Sequence, residues 1–412
     1  MEKEKNYAYV TLLTNDGYFP GAIILKESLK SVKTKYPLLC MVTPNVSLET
    51  TQKLEKAGIK PVHIDLIEFP EIIAQLNSEV HYEVFNTWRY CLSKLNCFTF
   101  TQYDKLIFLD ADLLILKNLD HCFEMPHMTA AFDGEYRNLW PRWPHFNSGF
   151  MVIEPSIDEF NKILDFINNL NPYDVYDFRG DHYVLADQEL LNLYYSNWKN
   201  EPEKHLNKYY NVFAPHLVSL CDADLVDNAY FIHFVGTKPW ALGAFVSPMT
   251  DKYEYSYYFY ILAFAIYRIS EYNKFGDIDW DMVKATGWLD AEMIVICLDK
   301  HIHIQLAMFL FARLPKTFPT YNHIKALLKT NHAIVELIPV VKKIISLSRQ
   351  NVLRDITDPS TLIPDLHYTE YLQWLIDEPT EDRTKQFVVD FWQAINTATE
   401  EFLRKVGEEH NF

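Results

Sequence analysis

No run of this 412-residue sequence is apolar over a length that spans a bilayer. The most apolar stretch, Tyr257 to Tyr267, falls well short of the roughly 20 residues a spanning helix needs. Cysteine is scarce and scattered. Cys40, Cys91, Cys97, Cys122, Cys221 and Cys297 form no C-x-x-C pair, which argues against a disulfide framework or a zinc site and for a reducing compartment. The start of the chain, Met1-Glu2-Lys3-Glu4-Lys5-Asn6, is charged and has no secretory pattern, so a cytoplasmic location is expected. Positive charge is also short. With 38 Lys+Arg against 55 Asp+Glu, the formal charge is −17, which speaks against nucleic acid as the main partner. One basic pocket for a phosphorylated small molecule remains compatible with that balance. There is no internal repeat and no long linker.

What is present is an ordinary globular balance, 49% hydrophobic and 23% charged, in a chain long enough for about two domains. Aromatic residues reach 15%, and most are expected to fill cores, with sugar or partner surfaces as the alternative.

The first hundred residues alternate strand and helix patterns. Tyr7 to Leu13 is a short apolar strand that stops at the turn signal Thr14-Asn15-Asp16-Gly17. Gly21 to Val32 places Ala22, Leu25, Leu29 and Val32 on one helical face. Leu38 to Thr43 and Pro61 to Ile64 follow as strands, with a helix over Ser47 to Ala57 between them. A helix is expected over Thr87 to Phe98 and a fourth strand over Lys105 to Leu109. Such alternation implies an α/β domain with a parallel sheet covered by helices on both faces. Ligands of such sheets lie beyond the carboxyl ends of the strands, here after Leu13 and after Leu109. Beyond residue 250 helical patterns dominate: Tyr253 to Ile269, Met282 to Ile296, Ile302 to Leu314, His323 to Leu328, Ala333 to Leu347 and Lys385 to Val406. The expected division is therefore an α/β domain over residues 1–250 and a mostly helical region over 251–412.

Two segments carry the residues for chemistry. In Phe108-Leu109-Asp110-Ala111-Asp112, two carboxylates two residues apart follow an apolar strand and face the same way if the chain stays extended. Paired carboxylates there suit Mn²⁺ or Mg²⁺, which in turn holds phosphate oxygens, and the small Ala111 leaves room for approach. A solvated loop is the plain alternative. In His233-Phe234-Val235-Gly236-Thr237-Lys238-Pro239-Trp240, a strand delivers an imidazole able to complete such a metal site, or a structural histidine. Gly236 permits close backbone approach to phosphate and Lys238 brings a point charge to it.

The chain resembles glycosyltransferase family eight, the family of glycogenins and plant galactinol synthases, over Tyr7 to Trp240. Six ordered motifs carry the resemblance. They are Val10 to Tyr18, Ser93-Lys94-Leu95, Phe108 to Asp112, Phe146-Asn147-Ser148-Gly149, Ala186-Asp187-Gln188 with Leu190-Leu191-Asn192, and His233 to Trp240. The resemblance implies a Rossmann-like nucleotide-sugar-binding domain of the GT-A type, a UDP-sugar donor, Mn²⁺ (or Mg²⁺) and retention of anomeric configuration. It implies metal ligation by Asp110, Asp112 and His233. It implies uracil and ribose contacts from Leu12, Thr14, Asn15 and Tyr18, with Tyr18 stacking on the base, and a donor contact from Lys94. Ala111 lies inside the donor-binding Asp-x-Asp, and Gly236 with Lys238 matches the diphosphate-binding pair. Asp133, Asn147, Ser148, Asp187 and Gln188 line the sugar, with Asp187 nearest the anomeric carbon, as stabiliser or as nucleophile. The plain alternatives are an N-cap role for Asp187 on a helix over Gln188 to Tyr194, a turn at Asn147-Ser148-Gly149, a solvated Lys94 and a core-packing Tyr18.

The sequence departs from the family's pattern: the C-terminal glycogen-synthase-docking segment of glycogenins is not recognisable, the helical region 251–412 has no family counterpart, and two differences fall within the matched region. One residue separates Gly236 from Lys238, where glycogenin-like sequences usually have two. No tyrosine lies in Asn211 to Ala229, the stretch where self-glucosylating glycogenins carry their acceptor. The expected function is a retaining, Mn-dependent hexosyltransferase, with UDP-glucose first and UDP-galactose second as donor. The alternative is a catalytically silent nucleotide-sugar-binding scaffold protein, and a nucleotidyltransferase is a weaker third option. The acceptor, whether glycan, polyol, lipid-linked glycan or protein, is left open, and so is a homo-oligomer. Acceptor contacts are expected from loops at 66–86, 134–146 and 171–183. Ile334 to Leu347, with Lys342, Lys343 and Arg349, is either a helix packed on the protein or a peripheral membrane contact.

Overall fold

A computed structural model describes residues 5–133, 145–174, 184–214, 223–244, 254–299 and 314–330, together with Leu217, Ala307, Leu310 and Phe311. The helices expected at Ala333 to Leu347 and Lys385 to Val406, and most of Ile302 to Leu314, lie outside the described residues. So do most of the expected acceptor loops at 134–146 and 171–183.

The strands are β1 (Tyr7–Leu13), β2 (Leu38–Val42), β3 (Lys60–His63), β4 (Lys105–Leu109), β5 (Leu113–Ile115), β6 (Ala130–Ala131), β7 (Phe150–Ile153), β8 (His205–Leu206), β9 (Val212–Phe213) and β10 (Phe231–His233). The helices are α1 (Phe19–Ser31), α2 (Leu48–Lys56), α3 (Glu71–Trp88), α4 (Ile157–Asn169), α5 (Asp187–Tyr194), α6 (Ala223–Asn228), α7 (Glu254–Tyr272), α8 (Trp280–Thr286), α9 (Trp288–Asp299) and α10 (Tyr321–Thr330).

The main sheet has the order β3-β2-β1-β4-β7. Its first four strands are parallel, as the alternation predicts, but β7 pairs antiparallel with β4, so the sheet is mixed rather than parallel. The reason is local. Chain returning through Asn147-Ser148-Gly149 places Phe150 opposite Leu109, and Asp110 N–H donates to Gly149 O at 2.9 Å. Side chains alternate across the sheet. Ala8, Val10, Phe108 and Met151 enter one core, with Leu92, Leu95, Phe98 and Trp198. Tyr7, Tyr9, Ile107, Leu109, Phe150 and Val152 enter the other, with Ile23, Leu25, Phe123 and Phe231. Both cores are aromatic: Phe146 lies 5.3 Å from Trp198 in the first, while Tyr7 stacks on Phe123 and Phe150 on Phe231 in the second. Much of the aromatic excess is thus packing.

A second, three-stranded sheet runs β5-β10-β9. In it β10 is antiparallel to β5, which sets His233 opposite Leu113, one residue from Asp112.

Three elements differ from expectation. Residues 66–86, expected as a loop, hold most of α3, which kinks at His81. Its apolar Ile73, Leu76 and Phe85 are buried, and Asn77 ties it to Leu185 through both side-chain amide atoms. The helix expected over Thr87 to Phe98 is instead the end of α3 followed by a 3₁₀ helix, Cys91–Thr99. Leu92, Leu95 and Phe98 are buried at a spacing of three, the period of that tighter helix. Met282 to Ile296 forms two helices, because Gly287 adopts φ +78° between α8 and α9.

The chain divides into two compact units. The first lies within Met1–Leu242 and Met249–Ile278 and includes α7, which packs on α1. The second lies within Gly243–Pro248 and Asp279–Phe412, and in it α9 packs with α8 and α10. No described helix is long and apolar enough to cross a membrane.

Candidate active site

The parallel strands β1 and β4 are neighbours, so the segments after Leu13 and Leu109 emerge at one edge of the sheet. β10 adds His233 from the second sheet. Asp110, Asp112 and His233 each offer a ligand atom within 4.8 Å of the others, the one such group among the described residues. His233 Nε2 lies 3.3 Å from Asp112 Oδ1 and 3.9 Å from Asp110 Oδ2. Two carboxylates and an imidazole suit a divalent cation that accepts mixed oxygen and nitrogen ligands.

Two glycines hold this corner close. A Cβ on Gly149 would come within 2.7 Å of His233 Cε1 and 2.9 Å of Asp110 Oδ2. A Cβ on Gly21 would meet Ala111 O at 2.2 Å and the Trp240 ring at 2.6 Å, so α1 seats against the Asp-Ala-Asp turn only with glycine there.

Lysines flank the cluster on both sides. Lys238 Nζ donates to Asp112 Oδ2 at 2.5 Å and to Phe234 O at 2.9 Å. Lys94 is buried, and its ammonium lies 3.2 Å from Asp110 Oδ1, 2.6 Å from Asp187 Oδ2, and 3.1 and 3.2 Å from Ser148 Oγ and O. It is not a solvated helix charge. Ser148 Oγ also donates to Asp187 Oδ2, at 2.7 Å. Gln188 Oε1 accepts from Asn147 Nδ2 and Ser148 N–H, while its Nε2 donates to Asp133 Oδ2 at 3.2 Å. A continuous polar chain thus runs from Lys238 through the acidic cluster and Lys94 to Asp187, Ser148, Gln188 and Asp133.

The electrostatics follow from burial and neighbours. Burial raises the Asp110 carboxyl; Lys94 opposes this and the charge of Asp112 adds to it. Burial acts on Asp112 as well, yet His233, whenever its ring carries both protons, and Lys238 hold it well below the usual carboxylate range. Asp187 is buried and still depressed, because Lys94 favours its anion. Both lysines are raised despite burial, Lys94 by Asp110 and Asp187, Lys238 chiefly by Asp112.

Asp187 is the first residue of α5 and Ala186 occupies the cap position, so the alternative N-cap role of Asp187 is not realised. Its carboxylate is engaged by Lys94 and Ser148, and Glu189 reaches back to Ala186 N–H instead.

The segment expected to hold the base is arranged less directly. Asn15 Oδ1 accepts from Gly17 N–H and so caps a single 3₁₀ turn. Thr14 O accepts from Thr43 Oγ1, and Leu12 packs partly buried on the core. Tyr18 stands edge-on to Trp240 at 5.9 Å, with Lys238 Nζ 5.9 Å from its ring centre. Gly236 has φ +77° and open space around its Cα, so the loop before Lys238 turns where a side chain would be strained.

Sequence reasoning missed Asn211, whose Oδ1 lies 2.7 Å from His233 Nδ1. It sits between tyrosines and a two-residue strand, with no periodicity to mark it. Gly21 was also missed: it entered only as the first residue of the helical range, outside the apolar face of Ala22, Leu25, Leu29 and Val32. Gly149 was quoted in a motif without a role.

A family model described as "Glycosyl transferase family 8" matches residues 9–243, more than half of the chain. The chain belongs to glycosyltransferase family 8. It is similar to glycogenin-1 of Mus musculus, 35% identical over 238 residues, covering 57% of this chain and 65% of that protein. It is also similar to UDP-glucuronate:xylan alpha-glucuronosyltransferase 1 of Arabidopsis thaliana, 32% identical over 243 residues, covering 57% of this chain and 32% of that protein. The match therefore spans less than two thirds of either relative. Among solved structures, the glycosyltransferase GlyE of Streptococcus pneumoniae TIGR4 aligns at a TM-score of 0.40 with 14% identity, covering 66% of this chain and 65% of that one. The matched region is built on the mixed, Rossmann-like α/β sheet described above, as expected of a family 8 domain of the GT-A type.

Proposed function

We propose that this family 8 member is a retaining, Mn²⁺-dependent glycosyltransferase that moves a hexosyl group from a UDP-sugar, glucose first and galactose second, to an acceptor. The observation that carries this reading is the joining of Asp110, Asp112 and His233 in one cluster, with Lys238 on one side and the Lys94–Asp187 pair on the other. The cluster's donor set fits a hard or borderline divalent ion, and the absence of a Cβ at Gly149 leaves His233 and Asp110 close enough to share it. Asp110, Asp112 and His233 would hold the cation, which when bound neutralises charge on the leaving diphosphate.

The chain's own residues divide the remaining work. Lys238 is drawn to Asp112 by charge and can turn toward a diphosphate oxygen, with Gly236 letting the backbone approach. Tyr18 and Trp240 form an aromatic corner beside it, suited to a base. On the other side, Lys94 and Ser148 Oγ fix one oxygen of Asp187 and keep the carboxylate ionised, so its negative charge is available to positive charge developing at an anomeric carbon. Asn147 and Asp133 orient the Gln188 amide, and together they offer polar groups to sugar hydroxyls.

The relatives' names cover glycogenins and a xylan glucuronosyltransferase, so the acceptor class is not carried over from either. The test is UDP release from a panel of UDP-sugars with Mn²⁺, paired with intact mass of the protein. Asp112→Asn is expected to lower turnover at least about a hundredfold, since a metal ligand and the partner of Lys238 are both changed. Undiminished turnover in Asp112→Asn, or in chelator, would overturn the reading.

A further inference from the structure

We infer that Asn211 is the positioning residue that prepares His233 to ligate a cation, by fixing which ring nitrogen carries the proton. The inference rests on the metal role proposed above for His233.

Both side chains are buried, and His233 Nδ1 lies 2.7 Å from Asn211 Oδ1. An amide oxygen accepts only, so Nδ1 carries a proton in this pair, and in the neutral ring, the form that ligates a cation, Nε2 presents its lone pair. That lone pair is on the side of Asp112 Oδ1 and Asp110 Oδ2. A lone pair facing two carboxylates is unfavourable alone and favourable around a cation. The opposite amide orientation would put Nδ2 on Nδ1 and move the ring proton to Nε2. Nε2 would then donate to Asp112 and be lost as a ligand.

The fold fixes the amide oxygen in place at some cost. Asn211 has φ +57°, the left-handed region that asparagine tolerates better than most side chains. Its Nδ2 is buried with no hydrogen-bond partner among the described residues, so its donor capacity is given up while the acceptor is aimed at His233. The next two residues are β9, paired in register with β10: Val212 opposite Ile232 and Phe213 opposite His233. Tyr230 N–H donates to Tyr209 O, locking the other flank. The Phe213 ring meets the His233 ring edge-on at 5.4 Å, and Gly149 closes the remaining side. The imidazole thus has one orientation, and Asn211 is the one described group bonded to its outer nitrogen. Such outer partners orient a ligating histidine and change metal affinity by about 10- to 100-fold when removed.

Backbone and side-chain roles of Asn211 separate in two variants of the full chain. Asn211→Gly keeps the left-handed backbone without strain and removes the acceptor. Asn211→Asp keeps an acceptor at the same place. Mn²⁺ binding, read from loss of the free-ion electron paramagnetic resonance signal, should weaken about 10- to 100-fold in Asn211→Gly and stay near wild type in Asn211→Asp. UDP-sugar turnover in Asn211→Gly should recover as Mn²⁺ is raised. Wild-type Mn²⁺ affinity in Asn211→Gly overturns this inference and leaves the proposed function standing. A wild-type chain that binds no Mn²⁺ overturns both.

Discussion

At the scale of single residues, the site depends on atoms that are missing as much as on those present. Gly149 has no Cβ, and the space is filled by His233, Asn147 and Asp110. Gly149→Ala should therefore weaken Mn²⁺ binding about tenfold or more by pushing the histidine and the carboxylate apart, with the protein still folded; paramagnetic resonance and circular dichroism together check both parts. Lys94 illustrates how one buried charge is made tolerable. Its ammonium meets two carboxylates and both oxygens of Ser148, so desolvation is offset by ion pairing and hydrogen bonding. His127 shows the opposite balance outside the site. Its Nδ1 accepts from Glu154 N–H at 3.0 Å, which requires the neutral ring, and burial lowers its pKa although Glu154 and Glu159 oppose this. The folded state thus binds its proton less readily than the unfolded chain. The stabilisation is complete above an unfolded-state pKa of about 6.5 and is lost as pH falls through the lower folded value. Thermal melts at pH 7.5 and pH 5 should show a larger drop for wild type than for His127→Gln.

At the scale of elements, the sequence pattern carried well wherever a strand or helix buries a regular face. β1, β2 and β4 lie where short apolar runs predict them, and α1 follows its steps of three and four. Asp110 and Asp112 were legible for the same reason: an apolar strand ends and two carboxylates follow. The pattern failed where the period changes or a turn is decided from far away. The 3₁₀ helix from Cys91 to Thr99 shares apolar spacing with an α-helix over so short a span. The antiparallel entry of β7 is set by pairing with β4, more than forty positions earlier, and no local signal encodes it. Asn211 was invisible because its partner lies 22 residues away and reaches it only through the pairing of β9 with β10. Gly287 is a case that the chain does announce afterwards: in a left-handed conformation between α8 and α9, its missing Cβ would sit 2.8 Å from Pro315 Cδ. Gly287→Ala should cost about 1–3 kcal/mol, read as a lower denaturant midpoint.

At the scale of the whole molecule, a net charge of −17 first suggests a poor host for phosphate. The site resolves the conflict locally. Lys94 and Lys238 are each held beside carboxylates, and under the proposed function the acidic cluster would take up a cation before meeting a diphosphate. Donor binding and metal binding should therefore be one coupled event. The direct measurement is calorimetric titration of UDP into the full chain, with Mn²⁺ and then with chelator. The account predicts binding with Mn²⁺ and its loss in chelator or in Asp112→Asn. UDP affinity that is the same with and without the metal would contradict it.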